Sequence, residues 1–64
     1  MKGYYFNNIV DVNGRNEIHA EDSPYLPPSL NRTYIGDFSN CDDALQRAKS
    51  QYPEKSFVCC PLCS

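Results

Sequence analysis

A histidine at position 19 and the run Cys59-Cys60-Pro61-Leu62-Cys63 are the residues whose types and spacing suit chemistry. Cys60-x-x-Cys63 has the separation with which two thiolates hold one tetrahedral zinc ion. His19 stands far upstream, just after a hairpin sequence, where small zinc domains take their first ligand pair. Ser23 follows at i+4, and a serine hydroxyl is a poor zinc ligand. Glu21, Asp22 or water would have to fill that place. The expected metal set is therefore His19, Cys60 and Cys63, with Cys59 as a replacement ligand.

The other thiol readings stay open at this level. Redox Cys-x-x-Cys pairs open a helix whose positive end lowers the thiol pKa. Only Ser64 follows Cys63, so that chemistry is not expected. On a strand, neighbouring side chains point to opposite faces. Cys59 and Cys60 can then hardly share one ion. Cys59 is a core residue, a disulfide partner for Cys41, or a ligand in place of the missing one. Cys41 falls on the apolar stripe of a helix, where a thiol behaves as a small hydrophobe.

No catalytic constellation accompanies these groups. Glu17, Glu21, Asp22, Asp42 and Asp43 form no acid/base pair. Asp42 and Asp43 suit a helix start, and the rest read as surface charge. There is no Gly-rich phosphate loop and only one histidine. A fold this small leaves little room for a ligand pocket of ordinary volume. Neither an enzyme nor a small-molecule binder is expected.

The elements that must position the thiols are legible from pattern. Tyr4 to Val12 is rich in aromatic and β-branched residues and reads as a strand. Asn13-Gly14 suits a type I′ turn, and Arg15 to Ala20 is the return strand. That register sets Ile9 opposite Ile18 and Asn8 opposite His19. Pro24, Pro27 and Pro28 make residues 22–31 an irregular crossing. Thr33 to Phe38 carries a short strand, with a bend at Gly36. Ser39-Asn40-Cys41-Asp42 opens a helix whose apolar stripe is Cys41, Ala44, Leu45, Ala48 and Tyr52. Pro53 ends it, and Ser56 to Cys59 is a last short strand.

The fold class that follows is α+β, a single domain over residues 1–64. A β-hairpin is extended into a three- to four-stranded antiparallel sheet with one helix packed on it. The expected core is Tyr5, Phe6, Ile9, Ile18, Leu26, Tyr34, Ile35, Cys41, Ala44, Leu45, Ala48, Tyr52, Phe57 and Val58. A chain of 64 residues buries only about 60% of its unfolded surface. Its core alone supplies ~3–5 kcal/mol, so a staple is expected.

The net charge of −2 lacks the basic excess usual in nucleic-acid binders. Met1 to Phe6 has no long apolar run, so neither a signal peptide nor a membrane span is expected. A cytoplasmic location with reduced thiols follows. The sequon Asn31-Arg32-Thr33 would matter only in a secreted chain.

The order of elements and motifs resembles the Ada-type metal-binding domain, the zinc module of DNA methylphosphotriester repair proteins. The matching residues are His19, Ser23, Leu26, Asn31, Asp37, Phe38, Ser39, Ala44, Ala48, Cys60 and Cys63, spread over nearly the whole chain. The resemblance implies zinc held by His19, Cys60 and Cys63. Ser23 stands where the family has a cysteine, and residues 51–58 are a further departure. Because the family's repair chemistry uses a zinc-bound cysteine as methyl acceptor, that activity is not expected here.

The function expected is a non-enzymatic interaction module, zinc-stabilised, that binds a protein or nucleic acid. The exposed aromatics among Tyr4, Tyr25 and Tyr34 would carry the contacts. A structural or accessory protein with a lost metal site, and a thiol-based alkyl acceptor, are the alternatives.

Overall fold

A computed structural model describes residues 1–60. Along the chain lie β1 (Lys2–Asn7), β2 (Asn16–Ala20), a 3-10 turn (Ser29–Asn31), β3 (Arg32–Phe38), α1 (Cys41–Gln51) and β4 (Phe57–Cys59). The strands form one sheet in the order β3-β1-β2-β4. β1 is antiparallel to β2 and to β3, whereas β4 joins β2 in parallel, so the sheet is mixed. β3 and β4 are thus opposite edges, and α1 crosses between them.

The hairpin forms as expected, but Asp11 rather than Asn13-Gly14 sets its register. The Asp11 carboxylate accepts the N–H of Asn13 at 2.8 Å and of Arg15 at 2.9 Å. Its carbonyl accepts the N–H of Gly14, and its own N–H donates to the Arg15 carbonyl. Among the described residues only Gly14 and Gly36 have positive φ. A type I′ turn needs positive φ at both central residues, and Asn13 does not supply it. The strands therefore close earlier than expected. Phe6, not Ile9, faces Ile18, and Tyr5, not Asn8, faces His19.

This shift of three residues is odd, so it exchanges the faces of β1. Tyr4 and Phe6 turn inward, while Ile9, expected in the core, is 62% exposed. Tyr34, also expected there, is 53% exposed. It lies against Tyr5, with ring centroids 5.3 Å apart. The core is Tyr4, Phe6, Ile18, Ala20, Ile35, Ala44, Ala48 and Phe57, with Phe38, Cys41, Leu45 and Tyr52 packed against it. Phe6 meets Phe57 and Tyr52 edge-on.

Asp11 gives the loop a testable acid sensitivity. The Arg15 N–H, then the Asn13 N–H and the Arg15 guanidinium, hold its carboxyl below the usual 3.8. A depressed folded-state pKa stabilises fully above the unfolded value and ceases to do so as pH falls through the lower one. The amide resonances of Asn13 and Arg15 should move together in that range. An Asp11→Ala chain should lack the transition; its persistence would show that the carboxylate does not organise the loop.

The helix is built as its sequence suggests. Asn40 is the N-cap, one residue after the expected Ser39, and its side chain accepts the Asp43 N–H at 2.9 Å. Asp42 and Asp43 occupy the first turn and Lys49 the last, each favourable against the helix dipole. In β3, a bulge opposite Tyr4 and Tyr5 makes Ile35 the extra residue. Gly36 beside it has φ +154, and a Cβ there would lie 2.9 Å from the Phe38 ring.

Candidate metal centre

Strand alternation divides the sheet into two chemically different faces. Phe6 and Ile18 are register partners and reach the helix, and Cys59 is in register with Ile18. Cys59 therefore points toward α1, where it forms a disulfide with Cys41. The two Cα atoms are 6.2 Å apart and the cysteines lie 18 positions apart in sequence. This corrects the reading of Cys59 as a metal ligand: its sulfur is engaged on the wrong face. It also departs from the expectation that the thiols are reduced.

The opposite face carries the histidine. Glu17 and His19 alternate with Ile18 on β2, so both point away from the helix. The Cys60 N–H donates to the Ile18 carbonyl at 3.0 Å. That bond continues the parallel ladder one residue beyond β4 and sets Cys60 beside His19. Ligand atoms of Glu17, His19 and Cys60 all lie within 4.8 Å of one another. His19 is only 2% exposed and Cys60 is buried.

Part of the cover over this face comes from the proline-rich crossing. Pro27 is buried, and its carbonyl accepts from Arg32 Nη1 at 3.1 Å. The same guanidinium lies 4.7 Å above the Tyr5 ring, and Tyr5 is the cross-strand neighbour of His19.

The electrostatics favour the ligand form of the histidine. Burial lowers the His19 pKa below 6.5, and the Glu17 carboxylate opposes that only in part. The imidazole is thus neutral at pH 7, as a metal ligand must be. Glu17 Oε1 lies 3.5 Å from His19 Nε2. Two ligands about 2.0 Å from a tetrahedral ion are ~3.3 Å apart, so this pair is already near the required spacing. One imidazole, one carboxylate and one sulfur could hold a metal ion.

Glu17 is the member that sequence reasoning missed, having been read as surface charge. The Glu-x-His spacing on a strand is the signal that places both on one face. The acidic residues considered instead are engaged elsewhere. Asp22 forms an ion pair with Lys2 at 3.0 Å, and Glu21 accepts the Gly3 N–H. Ser23 shapes the turn leaving β2: its N–H donates to Ala20 and its hydroxyl accepts from Tyr25. Cys63, the remaining expected ligand, lies outside the described residues. Of the three tyrosines considered for surface contacts, Tyr25 and Tyr34 are exposed and Tyr4 is buried in the core.

Among the described residues no helix is long and apolar enough to cross a membrane. Comparison with known proteins returns no match to any family model, curated protein or solved structure.

Proposed function

We propose that this chain is a small non-enzymatic interaction module, held by a disulfide on one sheet face and by zinc on the other. Glu17, His19 and Cys60 hold the ion, with Cys63 as the fourth donor expected from the Cys-x-x-Cys spacing. The zinc is structural: it ties the end of β4 to β2 and adds its binding free energy to folding. The observation that carries the reading is the convergence of three different ligand types around a buried, neutral His19. The Ada-type resemblance belongs to the same reading, since it also assigns His19 and Cys60 to one ion. It differs in looking to position 23 where the geometry favours Glu17.

A protein partner fits the surface better than nucleic acid does. Ile9, Val10, Val12, Tyr25, Leu30 and Tyr34 are exposed, and the net charge is −2. Binding to a protein through such side chains depends little on salt, whereas phosphate contacts weaken steeply with it.

The zinc assignment is tested by a native mass spectrum of protein purified without chelator. One bound zinc per chain, lost on acidification, is expected. A metal-free mass that persists after zinc is added at neutral pH would remove the assignment.

A further inference from the structure

The two sheet faces meet at one dipeptide. Cys59 is tied to the helix, and Cys60 lies beside Glu17 and His19. β4 is three residues long and pairs with β2 alone. The disulfide ties it directly to α1, which it otherwise meets through the short connection of residues 52–56 and the packing of Phe57 on Tyr52. A surface cavity of about 370 Å³ opens over that bridge, lined by Lys2, Tyr4, Asn40, Cys41, Asp42 and Cys59. Both bridge cysteines are half-buried. Cys41 is the first residue of α1, and the positive end of a helix favours a thiolate there. Lys2, at the rim of the cavity, is paired with Asp22, and Asp42 opposes the field of the helix start.

We propose that this cavity is a thiol–disulfide exchange site for a small thiol, and that exchange there governs the metal group across the strand. The second half rests on the zinc reading. In the first step the thiolate of the small thiol attacks Cys59 Sγ. A new sulfur–sulfur bond forms, the Cys41–Cys59 bond breaks, and its electron pair leaves on Cys41 Sγ. Cys41 is the better leaving group because the helix start stabilises its thiolate. A second thiolate attacks the small-thiol sulfur of the mixed disulfide. The small disulfide departs, and Cys59 leaves as a thiolate. Two small thiols are oxidised, one protein disulfide is reduced, and the two thiol protons end on Cys41 and Cys59. With the bridge open, Cys59 no longer fixes the end of β4 to α1, and strand pairing with β2 is left to position Cys60 beside His19 and Glu17. Zinc binding should then weaken by about 10–100-fold, as when the groups that position a ligand are lost.

The test exposes the folded chain to reduced glutathione at pH 7, traps thiols by alkylation and maps them by peptide mass. A site built for exchange should react in native buffer within about 100-fold of its rate in denaturant, whereas a bridge that opens only on global unfolding is slowed ~1,000-fold or more. A native rate below that 100-fold limit overturns the site. In the bridged chain, reaction quenched part-way should show the glutathione mixed disulfide on Cys59 with Cys41 alkylated, and its accumulation on Cys41 instead would contradict the direction of attack.

Zinc titrations of the bridged chain and of the Cys41→Ser, Cys59→Ser double variant test the coupling. They are run at a temperature where circular dichroism shows both folded; if the variant does not fold, a Cys41→Ala, Cys59→Val chain, which restores apolar packing without a thiol, replaces it. Weaker binding in the open form is expected, and equal affinity overturns the coupling. If neither form binds zinc, the metal reading and the coupling fall together, while the exchange rates still decide the cavity.

Discussion

Replacing Cys41 by serine should cost about 3 kcal/mol and lower the melting midpoint by about 20 °C, as expected for opening a short disulfide loop in a small domain. The effect is large because the rest of the fold has little in reserve. Ile18 is the only large side chain among the described residues that is fully buried. Ala44 and Ala48 provide the helix contact with small surfaces. The bridge joins cysteines 18 positions apart, across all of α1, so it restricts the unfolded chain over the whole helix. Cys59→Ser should cost the same. The double variant should cost no more than either single one, because all three remove one and the same bond. Thermal melts of the four chains measure this. A shift of only a few degrees, or additive losses, would mean that Cys41 and Cys59 act as separate core thiols.

His19→Asn and Cys60→Ser should each weaken zinc binding by 100-fold or more, about 3 kcal/mol in binding free energy. Asparagine keeps the polarity and approximate size of the imidazole but lacks its ligand nitrogen, so packing loss alone would not explain the result. Glu17→Gln should weaken binding by about 10-fold or more, since it removes the charge of a carboxylate ligand. Asp22→Asn is the matched control. It was as plausible a ligand in the sequence, yet it pairs with Lys2 and should leave zinc affinity unchanged. Competition against a chelator of known affinity resolves these differences. Equal loss in Glu17→Gln and Asp22→Asn would indicate a general charge effect instead of ligation.

What was legible in the sequence was local. Asp42 and Asp43 mark the helix start by charge, with the cap read one residue early at Ser39 instead of Asn40; Ala44 and Ala48 mark its buried stripe, and Pro53 its end. Strand alternation separated Cys59 from Cys60, which left a Cys41–Cys59 disulfide among the open readings. Register was not legible, because two turn formers compete in Asp11-Val12-Asn13-Gly14. The Asp11 side chain captures two backbone N–H groups and lengthens the loop at the expense of strand pairing. That single competition carried Tyr4 into the core and Ile9 out of it. The parallel pairing of β4 has no local signature either. It depends on α1 crossing from one sheet edge to the other, and it brings Cys60 alongside His19. Glu17 stayed hidden for the related reason that a strand carboxylate looks solvated until a neighbouring strand closes over its face.

The most direct measurement is the visible absorption spectrum of the cobalt(II)-loaded chain, compared with the His19→Asn and Cys60→Ser variants. Cobalt takes zinc's place and reports its ligands. Tetrahedral bands with thiolate-to-metal charge transfer should appear at one equivalent. Cys60→Ser should diminish the charge-transfer band, and His19→Asn should shift the tetrahedral bands and weaken the binding. A cobalt spectrum identical in all three chains, or one of hexaaqua cobalt alone, would contradict a metal shared by His19 and Cys60.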